Sequence, residues 1–577
     1  MSFLRTTMTA YRSRLYLNYW DILALLLVLA VIFLFAWNAR QMATPYQLGE
    51  AIPISLSPKV LPFYAARTVV RMLFALCISL LFTFIFGTWA AKSRRAEKII
   101  IPMIDVLQSV PILGFLSVAI TAFIGLFRGS MLGPECAAIF AIFTSQAWNM
   151  ALGFYQTVRS VPSEVQEAGR MFHLSSWQRF WRIDVPFSMP SLLWNTMASM
   201  SAGWFFVVVS EAITVSDQEI LLPGIGSYVA VAIRAADMRA IIYAILTMFI
   251  VILAYDQLLF RPLVAWAEKF KAEQQGVDKP LESWVINLFR RTRLVRRFGN
   301  GITQLFNAFV NIKLFRQSPE RIEKIKAVRD ERAINLLWTV FIIVLAVAAI
   351  VFLADFIIRN LTVSEVIHVF LLGIVTACRV FVLLAICSLI WVPIGIWIGL
   401  RPQVANIAQP VAQILAAFPA NFFYPFIVMF IVYHHLSPNI WLTPLMILGA
   451  QWYIVFNVIA GASTIPKDLL QVADNLNVVG WLRWARFLLP YVFPYYITGA
   501  ITAAGGAWNA SIVAEVASWG DQTLVATGLG AYITQYTAAG NFAHIALGIG
   551  MMCVFVLLIN RLIWRPLYAY AVNRFME

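Results

Sequence analysis

Charge is scarce in this 577-residue sequence: Asp, Glu, Lys and Arg make up 12% of it, while 61% is hydrophobic. So thin a polar coat cannot cover a water-soluble protein of this size, and lipid is therefore the solvent for most of the chain. Phosphate-cradling sequence is missing as well. No Gly-x-x-x-x-Gly-Lys-[Ser/Thr] run occurs, which excludes a P-loop nucleotide site within the chain. Histidine and cysteine number five each. Cys77, Cys136, Cys378, Cys387 and Cys553 are scattered in or beside apolar stretches without disulfide or metal-ligand spacing, so they read as small buried hydrophobes. His434 and His435 are adjacent and point apart, with no third ligand near them. No histidine stands beside a plausible nucleophile. Neither catalytic residues, a metal site nor a cofactor is expected in this chain. The formal net charge of +15 would suggest nucleic acid in a soluble protein, but basic residues facing anionic head groups make membrane lipid the expected partner and nucleic acid not.

Long apolar runs are what the sequence does have. At 1.5 Å per residue, about 18 to 20 apolar residues cross a hydrocarbon core of roughly 30 Å as a helix. Twelve such spans are expected. In residues 1–262 they fall near Ile22–Trp37, Val69–Ala91, Ile104–Phe127, Ala137–Val158, Pro186–Val215 and Ala240–Phe260. In residues 334–577 they fall near Ile334–Ile358, Leu371–Leu400, Ala408–Tyr433, Ile440–Ala462, Pro490–Val516 and Phe542–Ile563. A barrel is excluded because Leu23–Phe35 and Ile342–Phe352 are apolar on every face. No convincing small-residue cleavage site follows Trp37, so the first stretch reads as a retained helix. Arg5, Arg12 and Arg14 before the first span, and Lys92, Arg94, Arg95 and Lys98 after the second, place both termini in the cytoplasm. Residues 263–333 form a basic cytoplasmic linker. Arg290, Arg291, Arg293, Arg296 and Arg297 stand there among Phe289, Leu294 and Phe298, the pattern of an amphipathic helix lying on the membrane surface.

The two halves are copies of each other. Arg71, Gly87, Pro102 and Pro111 recur as Arg379, Gly395, Pro410 and Pro419 at one offset (379 − 71 = 308). Four residues of length difference then shift it to 304 (466 − 162), which holds for Pro162/Pro466, Trp177/Trp481, Arg179/Arg483, Arg182/Arg486, Pro186/Pro490 and Pro190/Pro494. It still holds for Trp204/Trp508, Glu211/Glu515, Gly224/Gly528, Gly226/Gly530, Tyr228/Tyr532 and Arg261-Pro262-Leu263/Arg565-Pro566-Leu567. A collinear series of this kind is a duplication. Six spans per copy return each copy to the cytoplasm, so the fold expected is an all-α integral membrane protein of two six-helix modules in the same orientation.

Between the fourth and fifth spans of each module lies a polar stretch that opens at Pro162 or Ser163 and carries Glu164 and Glu167 in its early turns, where the helix dipole favours acid. Val165, Ala168, Met171 or Phe172, and Leu174 recur at helical spacing. This loop resembles that of the permease subunits of binding-protein-dependent ABC importers, which reads Glu-Ala-Ala, three residues, Gly, nine residues, Ile-x-Leu-Pro. The first copy here is Glu167-Ala168-Gly169 with Ile183-Asp184-Val185-Pro186, and the second is Gln471-Val472-Ala473 with Phe487-Leu488-Leu489-Pro490. His173 and Asn477 stand at the glycine position, a departure from the pattern. Arg71/Arg379, Pro111/Pro419, Glu211/Glu515 and Gly224-Ile225-Gly226/Gly528-Leu529-Gly530 look most like the nitrate, sulfonate, taurine and bicarbonate importers.

The resemblance implies a fused double permease in a bacterial inner membrane. It implies two ATPase subunits, which carry the ATP and Mg, docked on the two loops, and an extracytoplasmic solute-binding protein as a further partner. Glu167, Ala168, Gly169 and His173, with Gln471, Val472, Ala473 and Asn477, are then the coupling residues. Candidates for the pathway or its gate are Arg71, Arg379, Glu211 and Glu515, with Gln108 and Ser109 ahead of Pro111. Charges at the ends of apolar spans are costly unless paired or wet, so the glutamates are either gates or buried partners of the arginines. The expected solute is a small anion or anionic organic molecule. An ion-driven secondary transporter with a parallel repeat is the alternative, which the paired charges suit and the loop does not.

Overall fold

Prolines set where these helices bend. A computed structural model describes residues 19–42, 44–46, 52–215, 218–267, 284–312 and 331–575; Arg5, Arg12 and Arg14 lie outside the described residues. The first module runs α1 (Tyr19–Met42), α2 (Pro58–Lys92), α3 (Arg94–Ser109), α4 (Ile112–Leu126), α5 (Leu132–Arg159), the short α6 (Ser163–Met171) and α7 (Ser176–Ser210). A hairpin of β1 (Ala212–Val215) and β2 (Gln218–Leu221) follows, then α8 (Ile225–Arg234) and α9 (Met238–Ala267). The linker contains α10 (Trp284–Arg291) and α11 (Arg293–Val310). The second module repeats the plan with α12 (Glu331–Asn360), α13 (Val363–Gly399), α14 (Pro402–Ala417), α15 (Ala420–Tyr433), α16 (Pro438–Met446) and α17 (Gln451–Ser463). It continues through α18 (Lys467–Asn475), α19 (Gly480–Ala514), the hairpin β3 (Val516–Trp519) and β4 (Gln522–Val525), α20 (Leu529–Ala538) and α21 (Phe542–Ala571).

Among the described residues eight helices are long and apolar enough to cross a membrane, or eleven if each of three bent pairs is one span. These eleven coincide with all the expected spans but the first, which is the 24-residue α1 and stands outside that count. The expected straight spans Ile104–Phe127, Ala408–Tyr433 and Ile440–Ala462 are instead the bent pairs α3/α4, α14/α15 and α16/α17, at 95°, 77° and 43°. Two of the bends share a cause. A proline ring disfavours the helical region for the residue before it, and Val110 and Phe418 accordingly sit extended (ψ 127° and 126°) ahead of Pro111 and Pro419. The fifth spans also end early, at Ser210 and Ala514, where Val215 and Val516 were expected. The chain turns there into antiparallel hairpins in one register, Ala212 pairing with Leu221 and Val516 with Val525. Gly520 at the second hairpin's turn donates its N–H to the Ile233 carbonyl of the first module at 2.8 Å.

Besides α2, which widens at Thr83–Gly87, four helices widen for one turn just ahead of a proline, at Phe180–Asp184, Asp256–Phe260, Trp484–Leu488 and Asn560–Trp564. In each, the residue just before Pro186, Pro262, Pro490 or Pro566 bonds five residues back, Val185 to the Phe180 carbonyl for example. A proline inside a helix clashes with the carbonyl four residues earlier. The widened turn contains that carbonyl and moves it aside, so the helix passes the proline without breaking.

The modules keep their shape while exchanging side chains. At the crossing of α5 and α7, a Cβ on Gly153 would lie 2.3 Å from Asn195 Nδ2. The matching crossing of α17 and α19 carries the residues the other way round, Asn457 over Gly499, whose Cβ would lie 3.0 Å from that of Asn457. Gln146 over Gly203, where a Cβ would meet the Gln146 amide at 2.7 Å, likewise becomes Ala450 and Ala507. One helix surrenders the volume that its partner fills, so packing density is conserved. Overpacking costs about 1–3 kcal/mol, so Gly153→Asn alone is expected to lower the thermal unfolding midpoint of the detergent-solubilised protein. Adding Asn195→Gly recreates the second module's arrangement and should restore it, as read by intrinsic fluorescence on heating.

Candidate functional site

Arg71, Glu211 and Glu515 do not face a pathway in this conformation; they lie inside the modules. Arg71 and Glu211 are both 0% exposed. Arg71 donates through Nη1 to Glu211 Oε1 at 2.6 Å, and through Nε and Nη2 to the two oxygens of Glu135 at 2.6 and 2.7 Å. Arg67 Nη2 also donates to Glu135 at 2.7 Å. The Glu211 carboxylate further accepts from Thr68 Oγ1 and from the Gly226 N–H, both at 2.7 Å, and the Ile225 N–H donates to Thr68. Gly224 has to be glycine here, because a Cβ would sit 2.3 Å from the carboxylate. A single buried network thus fastens α2, α5, the end of α7 and the start of α8.

In the second module Thr376, Arg379 and Glu515 repeat the arrangement. Arg379 Nη1 and Thr376 Oγ1 donate to Glu515 at 3.2 and 2.9 Å, the Ala531 N–H donates at 3.0 Å, and Leu529 donates to Thr376 at 2.9 Å. Asn439 takes the place of Glu135, accepting from Arg379 Nη2 at 3.2 Å, and Val375 takes the place of Arg67. Two positive and two negative side chains become one of each, and neutrality survives. Arg67, Glu135, Asn439, Thr68 and Thr376 were not among the expected site residues. The threonines recur at the 308 offset and were open to discovery by it; Glu135/Asn439 and Arg67/Val375 differ in type, so a search for identities passes over them.

The loops between the fourth and fifth spans form the expected short helices, α6 and α18. Both end in the same closure: the Leu174 and Val478 N–H groups reach back to the Gly169 and Ala473 carbonyls at 3.1 and 2.9 Å, and His173 and Asn477 bond to Arg170 and Asp474. That Schellman geometry requires a left-handed residue at its turn, and His173 and Asn477 supply it with φ of 51° and 54°. The departures from the glycine pattern therefore preserve its conformation, with residue types that tolerate positive φ better than most. Glu167, His173, Gln471, Val472 and Asn477 are exposed and Ala168 is half-buried. Gly169 and Ala473 face inward. A Cβ on Gly169 would meet Ile183 Cδ1 at 2.6 Å, so the small residue makes room for the module's own α7 and not for a partner. Apolar tips stand out instead: Met171, Phe172, Leu476 and Val479 are 80%, 78%, 71% and 64% exposed.

The linker helix α11 docks beside the first loop. Trp177 Nε1 donates to the Phe309 carbonyl at 3.0 Å, Arg182 Nη2 to Asn311 at 2.6 Å, and Trp181 packs edge-on against Phe306. Trp481 at the matching place is 79% exposed, and Ala485 stands where Trp181 would be. Leu305 and Ile312 of the α11 segment are also exposed, an apolar edge suited to the bilayer surface. Gln108 is exposed near the end of α3, which Ser109 terminates.

Removing one partner of a buried ion pair costs about 3–5 kcal/mol, because it strands a charge in low dielectric. Glu135→Asn alone is expected to abolish most folded protein, as is Arg67→Val alone. The double variant copies the second module's neutral arrangement and should recover most of the yield in size-exclusion profiles; no recovery would show that charge balance is not the constraint.

A search for relatives fits this geometry. Residues 83–260 and 392–565 each match the binding-protein-dependent transport system inner membrane component family. The glycine betaine/proline betaine transport system permease protein of Escherichia coli is 30% identical over 163 residues, 28% of this chain and 44% of that one. The nitrate import permease protein of Leptolyngbya laminosa is 26% identical over 185 residues, 32% of this chain and 63% of that one. The bicarbonate transport system permease protein of Synechococcus elongatus is 27% identical over 132 residues, 23% and 46% of the two chains. The chain thus matches less than two thirds of the length of each of these relatives. Two copies of the family's domain, covering more than half of the sequence and laid out in one orientation around matching charge networks and loop helices, make the chain a member of the binding-protein-dependent transport system inner membrane components, as a duplicated ABC importer permease.

Proposed function

We propose that this chain forms the whole membrane pathway of an importer for a small anion or anionic organic solute, driven by two separate ATPase subunits that seat on α6 and α18. The observation that carries the reading is the pair of exposed loop helices, closed by the same left-handed turn and tipped by apolar side chains that no described residue covers. Each loop leads directly into α7 or α19, so movement at the loop reaches a fifth span through continuous helix. Nitrate and bicarbonate, in the names of two of the relatives, are small anions and support the solute class; glycine betaine, in the name of a third, is a zwitterion that shares only a carboxylate with it. A solute-binding protein outside the membrane completes the assembly. An ion-driven cycle is less suited, since the glutamates that would titrate are sealed in neutral networks.

The coupling test uses Met171→Asp and Leu476→Asp, which place charge on the tips without disturbing Gly169. Each is expected to reduce ATPase co-purification about tenfold, equivalent to about 1.4 kcal/mol, with membrane insertion unchanged. Full co-purification with normal ATP hydrolysis in both variants would remove the loops as coupling elements. Uptake of nitrate, bicarbonate and glycine betaine into vesicles holding the complex then sorts the solute class. Native mass measurement should find one copy of this chain per two ATPase subunits, and two copies would overturn that assembly.

A further inference from the structure

The duplication makes α3 equivalent to α14 and α7 equivalent to α19, so the modules meet along two seams, α7 with α14 and α19 with α3, that exact symmetry would make identical. They differ in packing. α14 lies along α7, whereas α3 scarcely touches α19. In the first seam Met197, Ser201 and Trp204 of α7 face Gln413, Ile414 and Ala417 of α14 around one small hollow, and Trp194 stacks on Phe456 of the second module at 5.2 Å.

The second seam differs in chemistry as well. Thr498, Thr502, Gly505 and Asn509 recur at spacings of 4, 3 and 4 and share one face of α19. That face points at the first module, because Asn509 Oδ1 accepts the Ile112 N–H at 2.9 Å. Their counterparts on α7 are Trp194, Ala198, Ser201 and Phe205. Thr498 and Trp194 are both exposed, but Thr502 is exposed where Ala198 is half-buried, and a Cβ on Gly505 would meet nothing within 4 Å where Ser201 is buried. On α3 the position matching Gln413, which lines that hollow, is Asp105. Asp105 crosses to Arg565 at 3.0 Å, an ion pair whose side chains are 36% and 62% exposed respectively, and exposed pairs of this kind hold little. Lipid does not explain the polarity: exposed positions on other spans are residues such as Leu246, Ile250, Leu389 and Ile390.

We propose that the solute passes to the cytoplasm through the α3–α19 seam alone, while the α7–α14 seam stays closed and acts as the hinge. Thr498 and Thr502 donate to the Pro494 and Thr498 carbonyls and the Asn509 amide to the Gly505 carbonyl, local bonds that a small hydrogen-bonding solute can exchange for its own. Asp105 and Arg565 form the rim that parts. This assignment rests on the transport reading for its purpose, but the seams themselves are distinguishable without it.

The test places single cysteines in a background where the five native ones are replaced, in inside-out vesicles holding the chain with its ATPase. Thr502→Cys and Gly505→Cys report on the polar seam, Ala198→Cys and Ser201→Cys on the packed one. Because thiol labelling follows access, a charged methanethiosulfonate should modify the first pair about tenfold faster. ATP with vanadate should change the rate at Thr502→Cys severalfold and leave Ala198→Cys unchanged. Equal rates in both seams, or a response to nucleotide of the same size in both, would overturn the proposal. If the rate contrast holds but nucleotide affects no position, one exit seam stands and the ATPase-coupled reading fails.

Discussion

Neutrality in a place without water governs the rest of this structure. A charge buried among apolar helices is tolerated only beside its opposite and with its remaining hydrogen-bonding positions filled. Arg71 meets that demand by spanning Glu135 and Glu211, and Glu211 meets it with Thr68 and the Gly226 N–H. Since these groups come from four elements, satisfying one carboxylate fixes where α2, α5, α7 and α8 stand relative to each other. The hairpins then emerge from a rigid point, because β1 and β3 begin one residue beyond the anchored Glu211 and Glu515.

Neutrality also leaves a freedom that the second module uses. Arg67 and Glu135 can be lost together, as they are at Val375 and Asn439, provided neither is lost alone. The packing exchanges obey the same logic in volume instead of charge: Gly153 with Asn195 becomes Asn457 with Gly499. Such paired differences identify contacts inside one sequence, because each member makes sense only beside the other.

What the sequence disclosed follows from this. The modules, their common orientation and the loop helices were legible, since identical Pro, Trp, Gly and Arg at fixed offsets leave a direct trace. The pairing of Arg71 with Glu211 was legible as an alternative to a gate, because isolated charge in a span is so costly. The bends at Pro111 and Pro419 were hidden by unbroken hydropathy, although the X-Pro rule that causes them is local. The hairpins were hidden because the first strand, Ala212–Val215, is apolar and carries the hydropathy of the helix past its end at Ser210. The inward face of Gly169 was out of reach, since its neighbour Ile183 lies on the far side of the loop's turn.

Fusion into one chain is what permits the halves to differ. In an assembly of two identical subunits, every substitution appears on both sides of the axis, so a packed seam and an open one cannot be encoded separately. Here Ala198 and Thr502, or Trp181 and Ala485, diverge independently. The linker exploits the same licence: Phe306 and Phe309 have an aromatic platform at Trp181 and Trp177, while Trp481 lacks the second ring beside it. The linker helix α11 therefore settles against the loop of the first module and, among the described residues, has no such platform at the second. Because the rings and the Trp177 Nε1 hydrogen bond sit at the root of α7, the restraint falls on the fifth span of the packed seam and leaves that of the polar seam, α19, the freer of the two to move.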